Sequence, residues 1–239
     1  STPLVSRPYV EMTTAVMRAF GVAAEQIDDR TWAVAPQAYR SATYVIEPDA
    51  SAASYAFAAA AIVGGSVRVE GLGTGSLQGD AAFVDLLARM GASVERTTTS
   101  TTVRHDGSLR GIEADMSQIS DTAQTLAVVA AHAEGPTRIT GIGFIRGKET
   151  DRIGAVVAEL RRAGIDAEEE ADGFVVRPGA VRSADIITYD DHRMAMAFAL
   201  LGLRTPGIRI LDPACVTKTF PGYWSMLDSL RRPDRVLPS

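Results

Sequence analysis

A chain of 239 residues, 46% of them hydrophobic, has apolar side chain enough for a sizeable core. Its formal net charge of -5 and pI ≈ 5.3 exclude the broad cationic surface that nucleic acid or an acidic membrane requires, so any bound anion must be small. One cysteine, Cys215, excludes an intrachain disulfide framework and points to a reducing compartment, the cytoplasm, and the most apolar run, YAFAAAAIVGG at 55–65, is far short of the roughly 20 residues that span a bilayer.

The sequence opens without a methionine on STPLVSRPYV and runs directly into an amphipathic helix, VEMTTAVMRAF, that ends at Gly21. That glycine reads as a helix C-cap, because a residue without Cβ takes positive φ at no steric cost. The polar stretch VAAEQIDDRTWAV then reads as a partly exposed hairpin. From Asp49, DASAASYAFAAAAIV is a helix of a second kind, apolar nearly all round, which places it inside a core. A short strand leads to the loop GLGTGSLQGD at 71–80. The amphipathic helix AFVDLLARM follows and ends at Gly91, before the hairpin ASVERTTTSTTVRHDG. The same order then recurs: an apolar helix DTAQTLAVVAAHA from Asp121, the loop GIGFIRGKETDR at 141–152, the amphipathic helix IGAVVAELRRA ending at Gly164, and the hairpin IDAEEEADGFVVRPG. A third apolar helix, DHRMAMAFALLGL from Asp191, leads to the loop DPACVTKTFPGYW at 212–224.

The period is roughly seventy residues. It predicts an α/β fold built as a threefold array, each unit with one buried and one amphipathic helix and short strands between, the three buried helices central and the sheets outside them. Residues 1–46 supply only the last half of a repeat. A boundary is therefore expected near Tyr44–Asp49, with 1–46 belonging to a different, incomplete body and 47–239 forming a domain of three repeats.

Three loops occupy equivalent slots, and Gln78, Lys148 and Lys218 fill the same position in each. The first loop resembles a dinucleotide fingerprint, but Ser76 stands where the third glycine belongs, and the repeat explains the string without a cofactor. In the second, Lys148, Glu149 and Arg152 surround a helix start, where free N–H groups and the helix dipole favour anions. The plainer alternative is that Glu149 or Thr150 caps that helix and the cations are solvated. Ser120 or Asp121 would likewise cap the second apolar helix, with Gln124 completing a capping box. Asp190, Asp191, His192 and Arg193 open the third apolar helix, where Arg193 either grips an anionic ligand or pairs with an internal aspartate. Cys215 reads as a buried or loop thiol, His105 and His132 as incidental, and no residues have zinc-site spacing, so no metal is expected.

Together KETDR at 148–152, YDDHRMAMAF at 189–198 and DPACVTKTFPGYW closely resemble the EPSP synthase family of enolpyruvyl transferases, as do LVSRPYVEMT at 4–13 and EPDASAASYAFAAAAI at 47–62. The resemblance implies an inside-out α/β barrel of enolpyruvyl transferase type, with pseudo-threefold βαβαββ repeats, and a second, N-terminal domain of the same design, of which 1–46 is the last part. It implies transfer of the enolpyruvyl group of phosphoenolpyruvate to the 5-hydroxyl of shikimate 3-phosphate, with no cofactor. By motif, Arg152, Arg193 and Lys218 would grip phosphoenolpyruvate, and Ser6, Asp121 and Lys148 would contact shikimate 3-phosphate. Asp121 would accept the attacking hydroxyl's proton and Glu149 would protonate the methylene carbon, with Tyr9 and His192 in supporting places. Phe144 departs from the family, which often has a polar residue there. Two rival readings are the related transferase acting on a UDP-linked amino sugar (UDP-N-acetylglucosamine) and a non-catalytic fragment, since the N-terminal half and its substrate-binding segment are missing. The chain alone is expected to be inactive.

Overall fold

The computed structural model describes residues 4–230. Helix α1 (Arg7–Ala19) and the hairpin β1 (Glu25–Asp28) with β2 (Thr31–Ala33) come first. Helix α2 (Ala50–Val63) and strand β3 (Gly65–Glu70) follow, then α3 (Phe83–Met90), β4 (Ser93–Arg96), β5 (Ser100–His105), β6 (Leu109–Arg110) and β7 (Glu113–Asp115). The next repeat carries α4 (Ala123–Ala130), β8 (Ala133–Glu134), β9 (Thr137–Thr140), α5 (Arg152–Arg162), β10 (Asp166–Glu170) and β11 (Gly173–Arg177). The last has β12 (Ala184–Ile186), α6 (His192–Ala199), β13 (Ile208–Ile210) and α7 (Tyr223–Leu230).

The apolar helices are the core. Every residue of α4 is buried, every residue of α6 except Arg193, and most of α2. Helix α4 packs against both α2 and α6, and the Ser54 and Thr125 hydroxyls, 3.3 Å apart, meet across the α2–α4 seam. Buried alanines, among them Ala58 and Ala59 in α2 and Ala127 and Ala130 in α4, let the helix backbones pack closely.

Sheets lie outside this trio. Strands β3, β5 and β4 form an antiparallel sheet in that order, and β10, β11 and β9 form a second, to which β7 adds as a parallel edge. The parallel pair β6–β8 ties the first repeat to the next, and β12 and β13 pair in parallel within the last. The three amphipathic helices α1, α3 and α5 end alike. In each, the amide after the glycine reaches back five residues, from Val22 to Met17, Ala92 to Leu87 and Ile165 to Leu160, and Gly21, Gly91 and Gly164 have φ of 84°, 118° and 82°. This is the Schellman closure, and it is why glycine stands at all three ends.

Helix starts depart from expectation in two places. Neither Ser120 nor Asp121 caps α4: the segment Ser120–Thr122 is a 3₁₀ turn, no side chain caps the helix, and the Gln124 amide is buried without a hydrogen-bond partner. Helix α5 is capped by Asp151, whose carboxylate accepts from the Ile153 and Gly154 amides at 3.1 and 3.0 Å, so neither Glu149 nor Thr150 does so. Helices α2 and α6 are capped by Asp49 and Asp191, as their sequences suggest.

Residues 4–46 stand apart in character. Helix α1 buries none of its residues, and Ile27, Val34, Tyr39, Val45 and Ile46 are exposed. The segment touches the repeats at its start, where the Ser6 amide donates to the Ser117 carbonyl and the Arg7 amide to the Gln118 side chain.

Candidate active site

The N-terminal ends of α4, α5 and α6 converge on one guanidinium. Arg152 is the first residue of α5 and is only 1% exposed. Its Nε donates to Asp191 at 2.7 Å, Nη1 to Asp121 at 3.0 Å and Nη2 to Glu149 at 2.7 Å. A buried cation is tolerated only when its donors are met by charge, and here three carboxylates meet them. Arg193 lies beside it and donates through Nη2 to the other oxygen of Asp121 at 2.8 Å. Lys218 donates to the other oxygen of Glu149 at 2.9 Å, and Lys148 Nζ stands 3.9 Å from Asp121. Tyr9 completes the shell of Asp121, its hydroxyl donating at 3.1 Å. Arg193 thus pairs with an aspartate from another repeat, while its neighbour Asp191 serves Arg152 and caps α6 through the Arg193 amide.

Two carboxyls with distinct surroundings result. Burial pushes the Asp121 pKa up, but Arg193, Arg152, Lys148 and the Tyr9 hydroxyl together outweigh it and leave it below the usual range. Burial also acts upward on Glu149. The Lys218 hydrogen bond, its own backbone amide and Arg152 bring Glu149 down to about 2. His192 is buried, its Nδ1 has no hydrogen-bond partner, and burial and Arg193 lower its pKa, so the ring is neutral near pH 7.

A cavity of about 240 Å³ opens beside this cluster, lined by Tyr9, Ser51, Gln78, Asp80, Asp121 and Arg193 among others. Asp80 is a residue that the sequence reading passed over. It is 5% exposed, accepts from the Ser51 hydroxyl, and is raised by burial to about 6. The string LQGDAAF places its acid at the start of an amphipathic helix, whereas Asp121 stands at the start of an apolar one. Gln78 fills the lysine slot as a brace: its side chain accepts from the Ala50 amide at 2.8 Å and donates to Glu47 and the Pro48 carbonyl.

The other expected residues fall nearby with less contact. Ser6, in a left-handed conformation with φ 54°, opens α1, and none of its hydrogen bonds among the described residues reaches the ion-pair cluster. Phe144 packs partly buried against the core. The Cys215 thiol is a loop thiol that donates to the Asp212 carbonyl. In the loop at 71–80, a Cβ on Gly73 would lie 2.3 Å from the Thr98 carbonyl oxygen, so close backbone approach explains that glycine.

A cluster of two lysines, two arginines and three carboxyls at one end of a threefold array can hold a small polyanion and move protons beside it. The family model for EPSP synthase (3-phosphoshikimate 1-carboxyvinyltransferase) matches residues 1–227. The chain belongs to the EPSP synthase family. The 3-phosphoshikimate 1-carboxyvinyltransferase of Nostoc punctiforme is 49% identical over 223 residues, which are 93% of this chain and 52% of that protein. The EPSP synthase of Acinetobacter baumannii superposes with a TM-score of 0.77 at 27% identity, over 89% of this chain and 52% of that one. The enolpyruvyl transferase NikO of Streptomyces tendae follows at 0.70 and 25%, over 96% and 53%. The fold is thus the α/β barrel of the enolpyruvyl transferases, with buried helices inside and sheets outside. The chain spans about half the length of the EPSP synthase relatives it matches.

Proposed function

We propose that this chain forms one wall of an EPSP synthase site, which transfers the enolpyruvyl group of phosphoenolpyruvate to the 5-hydroxyl of shikimate 3-phosphate. The observation that carries the reading is the Arg152 guanidinium, which bonds Asp121 on one nitrogen and Glu149 on another. Two carboxyls held on one buried cation provide a base and an acid a fixed distance apart.

In this reading Arg152, Arg193 and Lys218 hold phosphoenolpyruvate, and Lys148 and Ser6 contact shikimate 3-phosphate. Asp121, kept ionised by its arginines, accepts the proton as the hydroxyl oxygen bonds to C2 of phosphoenolpyruvate. Glu149 delivers a proton to the methylene carbon. A carboxyl at about 2 is a poor acid, so substrate must change it. An anion taking Lys218 and Arg152 removes two of the interactions that hold Glu149 down, which raises its proton affinity where the proton is needed. The tetrahedral adduct then breaks its C–O bond to phosphate, loses a proton from the new methyl group and leaves the enol ether. Tyr9 and His192 support Asp121 and the α6 start.

The charge balance supports an incomplete site. Lys148, Arg152, Arg193 and Lys218 face Asp121, Glu149, Asp191 and, at about 6, a largely ionised Asp80, which leaves no surplus positive charge for two multiply charged substrates. The remaining length of the family's proteins, packed over the exposed side chains of residues 4–46, would supply the rest, with the domain boundary near Tyr44–Asp49. We place the reaction in the cytoplasm. Phosphate release assayed on the completed enzyme with shikimate 3-phosphate and, separately, UDP-N-acetylglucosamine tests the acceptor. Release with the first alone is expected; release only with the UDP-sugar would overturn the reading.

A further inference from the structure

Helix α5 carries a second charged residue on the face of Arg152. Glu159 lies seven residues on, two helical turns, so both side chains face one segment, 187–191. Glu159 is fully buried. Its Oε2 accepts from the Ile187 amide and from Arg162 Nε, each at 3.0 Å, and its Oε1 accepts from the Tyr189 hydroxyl at 2.8 Å. A solvated surface glutamate would make none of these contacts. Next to this anchor Tyr189 and Asp190 stand at φ 57° and 56°, the left-handed region that residues with a Cβ seldom enter, and here two in succession do so. Such a conformation persists only when its surroundings over-determine it. What the turn delivers is Asp191, whose amide donates to the Thr188 carbonyl at 2.9 Å and whose buried carboxylate holds Arg152 Nε and the Arg193 amide.

We infer that Glu159 is a positioning residue: it locks the left-handed pair Tyr189–Asp190 and so fixes Asp191, and through it the Arg152 guanidinium and the Arg193 amide at the start of α6. Its kinetic consequence rests on the function proposed above; its structural consequence does not.

Amide hydrogen exchange on the 239-residue chain reads the turn directly. Glu159→Gln keeps the side-chain size but removes the carboxylate charge from all three hydrogen bonds and makes the group facing Tyr189 a donor, which the hydroxyl meets only by giving up its own donation. Tyr189→Phe removes a single hydrogen bond and serves where the first variant folds poorly. Exchange of the Asp191 and Arg193 amides is expected to quicken by about tenfold in Glu159→Gln and less in Tyr189→Phe, with α4 amides unchanged. Adding Tyr189→Gly to Glu159→Gln should slow it again, because glycine adopts this φ freely. In the completed enzyme Glu159→Gln should raise KM for phosphoenolpyruvate more than it lowers kcat, and the glycine should restore it. Unchanged exchange at Asp191 and Arg193, an equal rise throughout α4, or no recovery with glycine would overturn the inference. Faster exchange with an unaltered KM would uphold the positioning and count against the assignment of Arg152 and Arg193 to substrate.

Discussion

Arg152 sets the cost of disturbing the site, because its charge is out of water and lives on three carboxylates. Asp191, also wholly buried, has no second arginine or lysine in ion-pair contact among the described residues. Removing one member of a buried pair strands the other, so Asp191→Ala should lower stability by about 3–5 kcal/mol in denaturant unfolding. Lys218→Met should change it by less than about 1 kcal/mol, since the Lys218 amine is 58% exposed. Catalysis reverses that ranking. In the completed enzyme Lys218→Met or Arg193→Ala is expected to weaken kcat/KM for phosphoenolpyruvate by about 2–5 kcal/mol, and wild-type kinetics would count against their assignment. The acid limb has a defined sign. Glu149 falls from an ordinary 4.5 to about 2 in the folded chain, so its contribution to stability is complete above about 4.5 and is lost as pH falls toward 2. Asp121, lowered from 3.8, acts in the same direction. Melting temperature should therefore decline on acidification through this window. In Lys218→Met a carboxyl NMR titration should find Glu149 titrating at higher pH than in the parent chain.

At the scale of elements, α2, α4 and α6 are held by close approach, and their alanines leave no space for larger side chains. Ala127, wholly buried in α4, tests this: Ala127→Leu should cost about 1–3 kcal/mol by overpacking, measured by chemical denaturation. These helices were legible in the sequence because an apolar run with no polar face can only be interior, and the surface helices because each stops at a glycine. The caps were less legible. Glu149, Thr150 and Asp151 are adjacent, all able to cap, and the choice depends on backbone angles at the junction, where Asp151 takes φ -66°, ψ 90°. With Asp151 assigned the cap, Glu149 is free for Arg152 and Lys218. Asp121 was read first as a cap for a similar reason, since local pattern cannot reveal that its partner Arg193 comes from 72 residues away. Asp80 was not legible because an acid at the start of an amphipathic helix reads as a solvated residue of its first turn. Asp151→Ala should destabilise α5 by about 1 kcal/mol, the usual worth of a cap, seen as faster exchange in its first turn.

For the whole molecule, the repeat explains why one end of the array gathers the chemistry: three apolar helices run in register, so their N-terminal ends and the loops that pack beside them share one face. The site's four cations are matched by four carboxylates, Asp80 included, and apolar side chains of residues 4–46 are exposed. Both features are what half of a two-walled site would present. The direct test is phosphate release from phosphoenolpyruvate and shikimate 3-phosphate by the purified 239-residue chain, alone and mixed with the N-terminal half of an EPSP synthase relative. Turnover only in the mixture is the predicted result; full turnover by the chain alone, or none in a mixture shown to have assembled, would contradict the account.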